Sequence, residues 1–219
     1  GCRMAVSDEE EFLSIPTSVS HFDPGRIPRP PVLPMVATAP GRPELHVEIG
    51  SGSGLFAVRF GQHHPEKTLL AIEHTKSRFR KLQGRLTQHP HIQNVIPLHA
   101  NAISILAHGL GRHTVSGLHV YYPNPYPKRS QRNKRWYAPS LAPLLSRCLM
   151  PEGYLVLATN LTWYADEAHE SLCDHWDFHL HSREIIAPTA LARTHFEKKY
   201  LERGDVCHNL IFEKTPLES

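Results

Sequence analysis

From Leu45 onward, short apolar runs alternate with longer stretches in which apolar residues recur every three or four positions. The runs predict strands at Leu45 to Ile49, Thr68 to Glu73, Val95 to His99, Gly117 to Tyr122 and Tyr154 to Thr159. The stretches between them predict helices. Leu55 to Phe60 reads as the opening turns of one, and Thr75 to Gln88 as a basic, amphipathic second with Phe79, Leu82 and Leu86 at helical spacing. A short helix holds Ile103, Leu106 and Leu110, and another runs from Ala138 to Cys148. Asn160 is placed to cap a helix carrying Leu161, Tyr164, Ala168 and Leu172. Pro151-Glu152-Gly153 predicts a turn into the Tyr154 strand, and Phe178 to His181 and Val206 to Glu213 read as two final, antiparallel strands. Strands and helices alternating at these lengths imply an α/β domain with a doubly wound, mostly parallel sheet.

Ahead of this pattern, Pro16, Pro24, Pro28, Pro30, Pro31, Pro34, Pro40 and Pro43 crowd into residues 1–43. Proline at that density forbids a regular helix or an inner strand, so the segment is expected to be an arm on a domain covering residues 44–219. With 219 residues in all, one domain plus an arm is the natural division. No apolar run approaches the length of a membrane span, and no secretory signal opens the chain. Cys2, Cys148, Cys173 and Cys207 lie far apart without C-x-x-C spacing, which suggests neither a zinc site nor a disulfide framework and makes the cytoplasm the default setting. The 17 histidines are scattered, so no metal site is expected, and nothing in the pattern bears on oligomeric state. A net charge of +3 says little by itself; its local concentration says more.

Candidate chemistry starts at His46-Val-Glu-Ile-Gly-Ser-Gly-Ser-Gly54. A strand turning tightly into a helix leaves backbone N–H groups aimed at the crevice beyond the strand's carboxyl end. Gly50, Gly52 and Gly54 would let a ligand approach that backbone. Two cofactors fit. Gly52-Ser-Gly54-Leu-Phe-Ala57 can be read as a dinucleotide fingerprint with Glu73 downstream for a ribose hydroxyl. The pattern Glu-x-Gly-x-Gly-x-Gly, beginning at Glu48, instead suits S-adenosylmethionine. Charge favours the second: a carboxylate beside the loop would repel a pyrophosphate but attract an ammonium and a sulfonium, by about 4 kcal/mol for a pair ~4 Å apart at an effective dielectric near 20. Residues closing the other strands, Glu73, Asn101, Asn124 and Asn160, are the remaining candidates in that crevice.

Tyr121 to Tyr137 places Lys128, Arg129, Arg132, Lys134 and Arg135 among Tyr122, Tyr126, Trp136 and Tyr137. Cations hold phosphates and aromatic faces stack on unpaired bases, so the loop points to nucleic acid.

This segment resembles the Pro-Asp-Pro-Trp-x-Lys-x-x-x-x-Lys-Arg-Arg stretch of the tRNA (guanine-N7-)-methyltransferase family. The Glu48 loop, Ile72-Glu73, Asn101-Ala102, Ala158-Thr159-Asn160 followed by Tyr164, and Thr194-His195-Phe196-Glu197 match in order, over Leu45 to Lys214. The resemblance implies the seven-stranded fold of S-adenosylmethionine-dependent methyltransferases, with a mostly parallel sheet, an antiparallel final strand, and a guanine in tRNA as acceptor. It also implies a donor site at Glu48, Gly50, Gly52, Gly54, Glu73, His74, Asn101, Ala102 and Asn124, with Asn124 at the reacting base. Lys128, Arg132, Lys134, Arg135, Asn160 and Thr194, His195, Phe196 and Glu197 would contact the RNA. The chain departs from the family by having Asn124 and Asn160 where Asp is usual, Tyr126 for Trp, and Trp136 for the last Arg.

Guanine N7 carries a free lone pair, so its methylation requires no general base and can run on positioning. A carboxylate near the base would stabilise the positive charge that results, and Asn124 does not supply one. Asn124-Pro125-Tyr126 also resembles, loosely, the Asn-Pro-Pro-Tyr signature of enzymes that methylate an amino nitrogen. A tRNA-binding relative without catalysis is the third reading.

Overall fold

The computed structural model describes Ile27 and residues 44–216. The arm expected over residues 1–43 lies outside the described residues apart from Ile27, whose carbonyl accepts a hydrogen bond from His108 Nε2 at 2.8 Å.

Seven strands make one sheet: β1 (Leu45–Ile49), β2 (Thr68–Glu73), β3 (Val95–His99), β4 (Val115–Tyr121), β5 (Leu149–Thr159), β6 (Phe178–Ile185) and β7 (His208–Lys214). Their order is β3-β2-β1-β4-β5-β7-β6. Neighbours from β3 to β5 pair in parallel, while β7 runs antiparallel to both β5 and β6. The strand order reverses between β1 and β4, and the chains leaving their carboxyl ends diverge there to open a crevice.

Alternate residues of the strands face opposite layers. Val47, Leu70, Leu118 and Leu155 point into the larger core. That face is covered by α3 (Ala102–Ser104, continued by a π-helical turn, Ile105–Gly109), α4 (Ala142–Cys148) and α5 (Thr162–His175), through Ile105, Leu144 and Tyr164 among others. Leu69 and Ala71 face the other way, against Ala57 and Phe60 of α1 (Leu55–His63) and Leu82 of α2 (Lys76–Thr87). A final helix, α6 (His195–Glu202), precedes β7, and Thr194 caps it by accepting from Glu197 N at 3.0 Å.

Several local expectations are corrected. The helix expected from Ala138 begins at Ala142, because Pro139 and Pro143 fall in the stretch and residues 138–141 form a turn, Leu141 N donating to Ala138 O at 3.0 Å. Pro151-Glu152-Gly153 does not start β5; it bulges out within it, so that Val115 pairs with Leu149 but Gly117 with Tyr154. Asn160 does not cap α5. Thr159 Oγ1 accepts from Leu161 N at 3.1 Å, and the Asn160 amide donates to Asp205 at 3.0 Å. Cys148 and Cys207 are free and buried.

Candidate active site

At the end of β1 the backbone takes positive φ at Gly50, Gly52 and Gly54, 76°, 57° and 92°. An L side chain would strain each of these positions. At Gly54 a Cβ would also lie 2.6 Å from Leu82 Cδ1, wedging α1 away from α2. The loop is tied to β2 by Gly50 N and Ser51 N, which donate to Ile72 O at 2.9 and 2.8 Å. Glu73, buried at the end of β2, completes the tie. Its Oε1 accepts from Gly52 N at 2.9 Å and its Oε2 from Thr75 N at 2.7 Å. The sequence marked Glu73 only as a ribose partner; in the fold it also braces the glycine loop.

A cleft of about 1220 Å³ opens at the β1–β4 switch point. One wall is the glycine loop with Glu73, His74, Asn101 and Ala102. Asn101 Oδ1 accepts from Ile103 N at 2.9 Å, so it caps α3 while facing the cleft. The opposite wall comes from the loop after β4 through Tyr122, Asn124, Tyr126, Lys134 and Trp136. Thr194, His195 and Phe196 close one end, and Ile27 also reaches the lining. Asn124 is exposed, and its Oδ1 accepts from Tyr126 N at 3.1 Å.

Glu48 does not line the cleft. It is buried beneath the glycine loop, where its carboxyl and the neighbouring Ser51 hydroxyl have at most each other as polar partners. Burial pushes its carboxyl up to about 8. A buried carboxyl and hydroxyl with no further partner at the foot of the loop fit a ligand that presents a cationic donor group from above.

Three of the residues expected to meet RNA are engaged elsewhere, and each is a correction. Arg135 is only 9% exposed. Its guanidinium pairs with Glu167 at 3.1 Å, donates to Tyr126 O at 3.1 Å, and lies 4.9 Å from the Trp163 ring centre. Glu197 is 1% exposed. Burial, the largest influence, would raise its carboxyl, but the hydrogen bonds and charge of Arg193 together with the Tyr122 hydroxyl hold it below the ordinary value. Asn160, bound to Asp205, is not in the lining, so of the two positions that lack the family's aspartate only Asn124 faces the cleft. Lys128 and Lys134 are exposed, and Lys134 sits 5.5 Å from the Tyr126 ring centre. Arg132 donates to Arg129 O at 3.5 Å within the 3-10 turn Arg129–Lys134.

The fold adds cations from the helix that the sequence marked only as basic and amphipathic. Arg78, Lys81 and Arg85 of α2 reach the cleft. Arg85 Nε donates to Ser53 O at 2.9 Å, and its Nη2 is 3.2 Å from His195 Nε2. Partial burial, then Arg85 and the neighbouring lysines, lower the His195 pKa, which suits it to accept that bond. Arg78 lies 5.5 Å from the ring centre of Phe196. Spacing along α2 was the available signal; that it faces the cleft was not.

A family model described as a putative methyltransferase matches residues 42–210. The tRNA (guanine-N(7)-)-methyltransferase of Nitrosomonas europaea is 30% identical over 179 residues, covering 81% of this chain and 78% of that one. The chain belongs to the tRNA (guanine-N(7)-)-methyltransferase family. The protein of that name from Treponema pallidum is 29% identical over 189 residues, covering 84% of this chain and 71% of its own. Among solved structures, the 16S rRNA methyltransferase KamB superposes with a TM-score of 0.64 at 18% identity, covering 80% of this chain and 89% of that one, which shows the shared fold. The donor of this methyltransferase family is S-adenosylmethionine, and the residues present fit it: the glycine backbone, Glu73 and Asn101 line the cleft and would hold the adenosyl portion, and the buried Glu48 under the loop would face the methionine ammonium from below.

Glu48 makes that fit testable. The unfolded chain releases this proton near 4.5, whereas the folded chain holds it to about 8, so between these values stability should fall as pH rises. Glu48→Gln should flatten that fall in thermal melts. An ammonium arriving beside Glu48 should draw the proton off at neutral pH. Calorimetry of S-adenosylhomocysteine binding, in buffers of different ionisation enthalpy, should show proton release by the wild type and none by the variant. Equal proton release by both would move the ammonium away from Glu48.

Proposed function

We propose that this chain methylates guanine N7 in tRNA. The observation that carries the reading is one cleft in which the glycine loop and Glu73 face Asn124, with Lys134, Trp136, Arg78 and Lys81 at the same opening. S-adenosylmethionine, when bound, supplies a methyl group on a positively charged sulfur. The chain's own residues orient the two partners. N7 uses its own lone pair, so no side chain has to remove a proton, which agrees with a cleft wall bearing an amide at position 124. Asn124 turns its Oδ1 into its own loop, toward Tyr126 N. With Oδ1 engaged there, the amide does not aim that acceptor at an amine proton, as the amino-nitrogen reading would need. The net cation excess around the opening suits a polyanion. Among the described residues no helix is long and apolar enough to cross a membrane. The reading carries a cytoplasmic setting, where unmodified tRNA is the substrate.

Transfer of labelled methyl from the donor to unmodified tRNA, followed by nucleoside analysis, tests the proposal. N7-methylguanosine is the expected product. A methylated exocyclic amine would point to the amino-nitrogen reading instead, and tRNA binding with no transfer to a non-catalytic relative.

The corrected loop makes a second expectation. Lys134→Ala should weaken tRNA binding and reduce the salt slope by about 1, as loss of one phosphate contact does. Arg135→Ala should lower the melting temperature. Its effect on tRNA affinity should persist at high salt, because this cation holds the loop's carbonyls. A salt-slope loss at Arg135 equal to that at Lys134 would return Arg135 to the RNA surface.

A further inference from the structure

The acceptor loop runs from Tyr122 to Pro127 and contains Pro123, Pro125 and Pro127. Tyr122 and Tyr126 both hold positive φ, 52° and 45°, a region that non-glycine residues occupy only when their surroundings over-determine it. Those surroundings are two arginine–glutamate pairs, one at each end of the loop.

At the first end Arg193 forks onto Glu197, Nε to Oε1 at 3.0 Å and Nη2 to Oε2 at 2.7 Å. Tyr122 Oη donates to the same Oε2 at 2.6 Å. Arg193 also donates to Asn209 Oδ1 on β7 at 2.8 Å and lies 4.6 Å from the Tyr121 ring centre. The Tyr122 backbone is fixed as well, its N donating to Ala158 O at 2.8 Å. At the other end Arg135 donates from Nε and Nη2 to Tyr126 O, both at 3.1 Å, and from Nη2 to Pro127 O at 3.4 Å. Glu167 holds Arg135 from behind and itself accepts from Tyr137 Oη.

We infer that Arg193–Glu197 and Arg135–Glu167 are a pair of clamps that set the acceptor loop in its reacting shape before RNA arrives, with Tyr122 and Arg193 as positioning residues for Asn124. The inference rests on the proposed reaction. Buried or half-buried ion pairs of this kind are weak sources of stability, because desolvation offsets their attraction. Their geometric effect is strong, since a planar fork accepts one arrangement of its partner. Both pairs end on loop residues that flank Asn124, and the prolines between leave few torsions through which an end could move without moving it. A reaction that runs on positioning is sensitive to such displacement.

Tyr122→Phe deletes one hydroxyl and leaves Glu197 paired with Arg193, so the fold is retained. Single-turnover methylation of saturating tRNA should slow by about ten- to a hundredfold, with dissociation constants for tRNA and S-adenosylhomocysteine within about twofold of wild type. Arg193→Lys keeps the charge, loses the fork and should slow transfer similarly. Hydrogen exchange gives an independent reading: the Tyr126 amide, bound to Asn124 Oδ1, should exchange faster in both variants. Wild-type rates together with wild-type exchange at Tyr126 would overturn the inference. So would a slowing matched by equal losses of melting temperature and donor affinity, which marks a merely structural role. If the wild-type chain itself methylates no tRNA, the reaction reading fails, and the exchange experiment still decides whether the clamps hold the loop.

Discussion

Replacing Asn124 with aspartate should speed methylation of guanine N7 by roughly ten- to a hundredfold. Methylation leaves positive charge on the base, and a carboxylate within reach stabilises that charge only as it develops. Such a group is typically worth about 3 kcal/mol, less where solvent screens it, and each 1.36 kcal/mol is about a tenfold change in rate. The structure favours the substitution because Asn124 already uses an oxygen to accept from Tyr126 N at 3.1 Å. Aspartate can keep that bond and carry the charge on its second oxygen. Single-turnover transfer to unmodified tRNA by wild type and Asn124→Asp measures the effect. If the acceptor were an exocyclic amine, losing the neutral amide should slow transfer. A substantial slowing in the variant, with N7-methylguanosine still the product, would sink this account of the wall.

The second large effect is expected at Glu73. Glu73→Ala removes the acceptor for Gly52 N and Thr75 N together with the proposed ribose partner. The unpaired donors cost stability, while losing the ribose acceptor and the brace that shapes the loop should weaken S-adenosylhomocysteine binding by about ten- to a hundredfold. Glu73→Gln keeps one carbonyl acceptor and should fall between wild type and the alanine variant. Titration calorimetry checks both. Tight NADH binding by the wild type with no response to the sulfur compounds would reinstate the dinucleotide reading of the loop.

The wall of the cleft built on the glycine loop was legible because its elements are local in the chain. Glu48 to Gly54 forms a strand end and a turn within a few residues, and the need for positive φ writes glycine into the sequence. Glu73 and Asn101 were legible for a related reason: each closes a strand, and the carboxyl ends of parallel strands share one edge of the sheet. The acceptor wall was legible only in composition. Five cations between Lys128 and Arg135 look equivalent as letters, yet Lys134 is exposed and Arg135 is buried under its own loop. Glu197 shows the same limit, since its role depends on Arg193 and on Tyr122, a residue 75 positions away.

By itself, then, the sequence of this chain determined the alternation of strands and helices, the antiparallel close of the sheet and the place of the cofactor loop, because periodic burial and glycine conformations act over a few residues at a time. Tertiary structure alone decided which polar side chains meet the cleft. It turned Asn160 toward Asp205, brought Arg78, Lys81 and Arg85 of α2 to the opening, and closed two arginine–glutamate pairs on the ends of one loop. The reason is physical: a charged side chain takes its role from the partners and the burial it finds, and here both come from segments that only folding brings together.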